Sequence, residues 1–326
     1  MKRIPGTRAA VVAMALLAAT AVAGLAHAAD YPTHPVRIII GFGAGSTADT
    51  PARLLAQKFS DALGQQFIVE NKPGAGSNVA AEYVAHAAND GYTLFMATAA
   101  QTNYAGMTVN PSYDVAKDFA PIVRVASVPN VLVANPSLGA GNLNALIALA
   151  KGRPGEIFFA SSGVGSITHF AGELVNIMAG VKLVNVPYQG SAQALTDVLS
   201  GRTQLWFAPV SAALPQIAEG KLKAIAVTTA QRASIAPDIP TMAEAGLPGY
   251  DVGLWFGLLA PAGTPQPVIA TIARVANDAL KMPDLTEPLR KIGIEPVGGT
   301  PEAFAAFIGA EVNKAAAVAT AAGLRQ

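Results

Sequence analysis

Two glycine–serine loops hold most of the chemistry this chain has to offer. The first lies in "IIIGFGAGSTADTPARLLAQKF", Ile38 to Phe59, where an apolar run meets Gly43-Ala44-Gly45-Ser46 and then an amphipathic segment. The second lies in "IFFASSGVGSITHFAG", Ile157 to Gly172, where Gly163-Val164-Gly165-Ser166 has the same setting. Glycines let successive backbone N–H groups turn outward. A helix that follows adds unpaired N–H groups and a partial positive charge. Such a loop suits a small anion, and a carboxylate fits as well as a phosphate. Nucleotide loops are excluded on two counts. The glycine due three residues after Gly43 is Ser46, and no Lys-Ser/Thr pair follows.

Other residues gather around these loops. Asp49 falls at the start of the first helical segment, with Thr47 or Thr50 as the expected cap, and the helix dipole favours it there. It would repel a directly bound carboxylate, so it is expected to support the loop more than to contact the ligand directly. The other reading is that it accepts a hydrogen bond from the ligand. Three more strand-to-helix turns supply expected cleft walls: Thr98 in "ATAAQTNYA", Tyr188 in "VPYQGSAQALTDVL", and Ala208, Pro209 and Ser211 in "WFAPVSAALPQI". The cleft loops hold almost no Lys or Arg. An anion there would be held by N–H groups, hydroxyls and water, without an ion pair.

Enzyme chemistry finds little to work with. The histidines are His27, His34, His86 and His169, and none has a partner at metal-ligand spacing. No Gly-x-Ser-x-Gly elbow occurs. His169 stands near Ser166 but has no evident carboxylate partner. Neither catalysis, nor a metal, nor a cofactor is therefore expected.

The elements that position the loops read as alternating strands and helices. Strands are predicted at Val36–Ile40, Phe67–Glu70, Thr93–Ala97, Ile157–Ala160, Leu183–Val186, Gln204–Phe207 and Ala224–Thr228. Helices fall between them at Ala52–Leu63, Asn78–Ala88, Leu143–Lys151, Thr168–Ala179 and Ala192–Ser200. This alternation predicts an α/β fold with parallel sheets covered on both faces and ligands at the strand carboxyl ends. Two long extended runs, Pro121–Pro136 and Gly249–Pro265, read as crossings into a second lobe and back. The predicted lobes are 29–127 plus 251–326, and 128–250. The glycine loops then fall in different lobes, where two helix N-termini could share one anion. Later come helices near Pro267–Lys281 and Asp284–Ile292, a short strand at Ile294–Val297, and a helix capped by Thr300 with Pro301 in its first turn.

The N-terminus reads as a leader. Lys2, Arg3 and Arg8 precede an apolar run from Ala9 to Leu25, and Ala26-His27-Ala28 closes it, predicting cleavage after Ala28. Removing those three cations from 22 Lys and Arg leaves 19 against 21 Asp and Glu, a net charge near −2. No basic excess invites nucleic acid. With no cysteine, an oxidising compartment is allowed but no disulfide framework can form. A soluble, secreted, two-lobed chain is expected.

Longer stretches carry a family resemblance. "YPTHPVRIIIGFGAGSTAD", "FIVENKPGAGSNVAAEYVAHAANDGYTLFMAT", "VPYQGSAQALTDVLSGRTQLWFAPVSAALPQIAEGKLKAIAVTTAQR", "DIPTMAEAGLPGYDVGLWFGLLAPAGTPQPVI" and "GIEPVGGTPEAFAAFI" resemble, in this order, a Bug-type periplasmic solute receptor. That family supplies the receptor subunit of tripartite tricarboxylate transporters. The resemblance implies a type II periplasmic-binding-protein fold whose two lobes close on a small organic acid. It implies a clamp from Phe42 to Asp49 in one lobe and from Ser161 to Thr168 in the other, with waters bridging. Phe42 would pack on the ligand, Gly43 would line it, and Ala44, Gly45 and Ser46 would present the first loop's N–H groups. Ser161, Ser162, Gly163, Gly165, Ser166 and Thr168 would form the second loop, with Ser166 and Thr168 offering hydroxyls and Ala208 to Ser211 closing the far end. A monomer in the periplasm is implied, with membrane permease subunits as partners. A C4-dicarboxylate is the first ligand expected and an aromatic acid the second. The alternatives are an amino acid, or a sensor role toward a signalling partner.

Overall fold

A computed structural model describes residues 31–164, 166–188 and 191–325. The leader and cleavage site expected from the sequence lie outside the described residues.

The first half of the chain runs β1 (Val36–Ile40), α1 (Asp49–Leu63), β2 (Phe67–Asn71), α2 (Asn78–Ala85), β3 (Thr93–Thr98), α3 (Ala99–Met107) and β4 (Phe119–Val128). It continues through β5 (Asn130–Ala134), α4 (Leu143–Gly152), β6 (Ile157–Ser161), α5 (Ile167–Ala179), β7 (Leu183–Pro187) and α6 (Ser191–Leu199). The rest is β8 (Leu205–Pro209), α7 (Val210–Ala218), β9 (Lys223–Val227), β10 (Leu254–Pro261), α8 (Gln266–Ala279), α9 (Pro283–Lys291), β11 (Glu295–Pro296) and α10 (Pro301–Ala321).

Two sheets form, in strand orders β11-β4-β10-β3-β1-β2 and β7-β6-β8-β5-β9. The extended run from Pro121 to Pro136 splits at Pro129: β4 stays in the first sheet and β5 opens the second. The chain returns between β9 and β10. Neither sheet is all-parallel, contrary to the sequence expectation. β10 pairs antiparallel with β3 and β4, and β5 pairs antiparallel with β8 and β9. A strand that enters a sheet directly from the other one arrives without a crossover helix to reverse it, so it runs against its neighbours.

Both faces of each sheet are covered, which explains the continuous apolar strands. Ile38 and Ile40 point into one core with Leu55, Phe59, Ile272 and Leu289, while Ile39 points into another with Trp255 and Phe304. In the second sheet Leu132 and Phe207 face one core, and Val131, Val133 and Trp206 face the other. Helix α10 belongs to the first sheet but also reaches the second, where Phe170 of α5 packs on Ala315 and Val318. Thr300 caps α10 as expected, accepting from Ala303 N–H at 3.2 Å, with Pro301 in the first turn.

Candidate functional site

The first glycine loop closes mainly on itself. Ser46 N–H donates to Gly43 O at 3.2 Å, and Asp49 N–H donates to Ser46 O at 3.0 Å. Gly45 sits at φ 78°, a left-handed turn that suits a residue without Cβ. Its N–H donates to Asp49 Oδ2 at 2.9 Å. That bond corrects the expected helix start. The helix begins at Asp49 with Ala48 in the cap position, and neither Thr47 nor Thr50 caps it, because the Asp49 side chain reaches back to the loop instead.

Asp49 is the hub of this loop. It is 4% exposed and takes Arg53 Nε at 2.8 Å and Asn71 Nδ2 at 3.0 Å besides Gly45. Asn71 also donates to Phe42 O at 2.9 Å, which ties the end of β2 to the loop after β1. Burial alone would raise the Asp49 carboxyl, but hydrogen bonds from Arg53, Gly45 and Asn71 outweigh it and hold the pKa at about 2. A depressed pKa gives stability above the ordinary aspartate value of 3.8 that disappears as pH falls toward 2. We expect Asp49→Asn to lower stability by roughly 2 kcal/mol at neutral pH, with the difference from wild type shrinking from pH 4 to pH 2. Urea titrations at stepped pH check this.

Donors and one hydroxyl remain open. Ala44 and Thr47, both exposed, offer N–H groups with no acceptor among the described residues. Ser46 Oγ is buried and has no hydrogen-bond partner among the described residues. Phe42 is half-buried and packs against the first-sheet core.

A second loop, Gly74 to Asn78, supports the first from beyond β2, a role without a signal of its own in the sequence. Ala75 and Ser77 adopt φ 45° and 79°, conformations that cost non-glycine residues strain and concentrate at functional positions. Ser77 lies against Gly41, and a Cβ there would come within 2.5 Å of Ser77 Cα.

The loop after β6 repeats the first design with hydroxyls in place of the carboxylate. Ser166 caps α5, accepting from His169 N–H at 3.2 Å and donating to Gly163 O at 2.7 Å. Thr168 Oγ1 accepts from Ser162 N–H at 2.8 Å and lies 3.0 and 3.1 Å from the hydroxyls of Ser162 and Ser166. Each hydroxyl has one proton. Ser166 spends its proton on Gly163, and Thr168 can spend its own on Ser166. Ser162, which is exposed, thus keeps a proton that can turn toward a ligand. The hydroxyls of Ser166 and Thr168 are engaged within the loop. The N–H groups of Ile167 and Thr168 find no acceptor among the described residues. Ser161 is buried, with its hydroxyl 3.4 Å from Gly163 N. Gly165 lies outside the described residues. No hydrogen bond among the described residues joins the two loops.

The wall residues divide. Thr98 is 1% exposed and fully used in capping α3, where it accepts from Ala100 N–H at 3.1 Å and its own N–H donates to Gln101 at 2.9 Å. Tyr188 hangs beside the second loop through its N–H to Ser161 O at 2.9 Å, but its hydroxyl goes to Asp197 at 2.9 Å. Ala208 and Pro209 end β8, next to β6, and Ser211 is exposed in the first turn of α7. His169 does have a carboxylate neighbour, contrary to the sequence reading: Glu173 lies 3.6 Å from Nε2, one turn along α5.

A sequence profile for the tripartite tricarboxylate transporter family receptor matches residues 51–324. The chain belongs to that family. Protein BugT of Bordetella pertussis is 36% identical over 98% of each chain. Two solved structures of similar receptors carry ligands. "R. palustris Rpa4515 with adipate" is 38% identical, with a TM-score of 0.70 over 90% of this chain and 99% of that one. MatC from Rhodopseudomonas palustris, with bound malate, is 30% identical, with a TM-score of 0.68 over 88% and 99%. Membership makes the chain a two-lobed solute receptor of the Bug type and not an enzyme. Among the described residues, no helix is long and apolar enough to cross a membrane.

Proposed function

We propose that this receptor closes its two lobes on a small organic dicarboxylate in the periplasm and presents it to membrane permease subunits. The observation that carries the reading is the first loop itself: a buried, unpartnered Ser46 hydroxyl beside open N–H groups at Ala44 and Thr47. An orphaned polar atom at a glycine turn calls for an acceptor or donor from outside the chain. The second loop adds open N–H groups at Ile167 and Thr168 and the Ser162 hydroxyl. Adipate and malate, held by two relatives, are both dicarboxylates.

In this account the lobes are 29–127 plus 251–326, and 128–250, and the crossings at Val128 and Val252 bend between them. One carboxylate meets the main chain from Gly43 to Ser46 with Phe42 beside it. On the opposite lobe it meets Ser161 to Gly163, Gly165 and the first turn at Ser166 to Thr168. Tyr188, Ala208, Pro209 and Ser211 shape the distal end, and Thr98 and Asp49 brace the loops from behind. Closure expels water, which strengthens each N–H to oxygen contact. The receptor acts as a monomer, cut after Ala28.

Calorimetric titration of residues 29–326 with succinate, malate, adipate and the matching diamides tests the reading. Saturable binding of a diacid at one per chain, with its diamide silent, is the expected result. Diamide binding equal to that of the diacid, or no heat with any diacid, would overturn it. Gly45→Val probes the loop separately. Its Cβ would meet nothing within 4 Å, so the cost is backbone strain of about 1–2 kcal/mol. Relief of that strain pulls Gly45 N–H away from Asp49. We expect about tenfold weaker diacid binding or worse, with the thermal midpoint lowered by only a few degrees.

A further inference from the structure

A cavity of about 340 Å³ opens where the chain crosses between the sheets. Arg124 and Ser127 of β4, Arg290 at the end of α9, and Glu295 of β11 line it from the first lobe. Arg232, beyond β9, and Asp251, on the return crossing, complete the wall. It is remote from the glycine loops. β11 stands four strands from β1, and β9 three strands from β6. At the usual strand spacing these separations are roughly 19 and 14 Å.

Donors and acceptors in this cavity do not balance. Arg232 is spent on Glu244 Oε2 at 2.8 Å and Pro237 O at 2.9 Å. Each carboxylate already takes a backbone N–H: Asp251 from Ala230 at 3.0 Å and Glu295 from Ser234 at 2.7 Å. Arg124 is different. Its guanidinium stacks 3.8 Å from the centre of the Phe307 ring, and its Nε is buried with no acceptor among the described residues. Asp251 and Glu311 act on it only from beyond ion-pair distance, and burial pushes its pKa down. Among the described residues the Arg290 guanidinium donates only to Thr286, at a long 3.4 Å. Two guanidinium groups with spare donors therefore line the cavity, and neither Asp251 nor Glu295, each bonded to a backbone N–H, lies within ion-pair distance of them. Guanidinium forks pair most strongly with planar or tetrahedral oxyanions.

We propose that this crossing cavity is a second binding site, for a small oxyanion such as a carboxylate or inorganic phosphate, gripped by Arg124 and Arg290. Its walls come from both lobes, so its occupant binds one relative lobe orientation better than another. By linkage, the site and the cleft then change each other's affinity by the same factor. That coupling rests on the cleft reading; the site itself does not.

Titration of residues 29–326 with inorganic phosphate and with sulfate, by calorimetry, tests the site in wild type and in Arg124→Gln, Arg290→Gln and Gly45→Val variants. Arg290 is exposed, so its variant keeps the fold even if loss of the Phe307 stack harms the other. Saturable binding of either probe that survives Gly45→Val and weakens about tenfold in Arg290→Gln is expected. No saturable binding of either probe, binding abolished by Gly45→Val, or binding unchanged by the arginine substitutions would overturn the site. None of these results decides the cleft, which the diacid titrations read.

Discussion

Gly41→Ala is expected to abolish measurable diacid binding and to lower folding stability by about 1–3 kcal/mol. The residue follows β1 and begins the first loop, and nothing about its own dihedral angles demands glycine. What demands it is the neighbouring chain. An added Cβ would come within 2.5 Å of Ser77 Cα and closer still to the Ser77 side chain. Ser77 cannot swing away at small cost, because it is buried at φ 79° and its N–H donates to Gly74 O at 2.9 Å. The substitution must therefore move the Gly74–Asn78 loop, the Gly41–Ser46 loop, or both. Either shift disturbs the open N–H groups at Ala44 and Thr47. Chemical denaturation and calorimetry on the same preparation separate the two effects, and wild-type affinity in a folded Gly41→Ala protein would contradict the argument.

Asp49→Ala is expected to weaken diacid binding about tenfold or more and to cost about 2–3 kcal/mol of stability. Three donors lose their acceptor at once: Gly45 N–H, the Asn71 amide and Arg53 Nε. Arg53 is half exposed and can turn to water, so its ion pair contributes little. The other two bonds count for more. The Asn71 amide N–H2 would keep its bond to Phe42 O but lose the one to residue 49, and the left-handed turn at Gly45 would lose the contact that fixes it. Asparagine at 49 can still accept from Gly45, so Asp49→Asn should fall between alanine and wild type in affinity. A ranking of wild type, asparagine and alanine in that order, by calorimetry, is the expected outcome.

Much of the fold and of the candidate site is legible in the sequence, and the gaps have physical causes. The strands that lie inside both cores, such as Val36–Ile40, can be read from continuous β-branched runs, because burial on both faces leaves no polar alternation. Thr300 followed by Pro301 marks its helix correctly because cap chemistry is local. Helix α1 begins three residues earlier than its apolar pattern suggests, since Asp49 bonds backward to Gly45 and not forward as a cap. The direction of β5 and β10 is not readable. An extended run looks the same whichever way it enters a sheet. The two glycine loops are visible as a repeated pattern, but the division of their hydroxyls is not. Ser166 and Thr168 turn inward and Ser162 keeps its proton available only because of a three-hydroxyl contact that spacing does not reveal. Asn71 and Ser77 escape sequence reasoning for the same cause, being brought to the loop by strand pairing and packing. Arg53 and Glu173 were detectable, since each stands four residues from its partner on a helix.

The central claim is that one carboxylate is held by both glycine loops together. A crystal structure of residues 29–326 grown with malate or adipate tests it most directly. The account predicts one ligand carboxylate within hydrogen-bond distance of the Ala44 or Thr47 N–H groups, directly or through one water, and also of the Ile167 or Thr168 N–H groups. A diacid bound to a single lobe, or lodged only among the arginines of the crossing cavity, would contradict it.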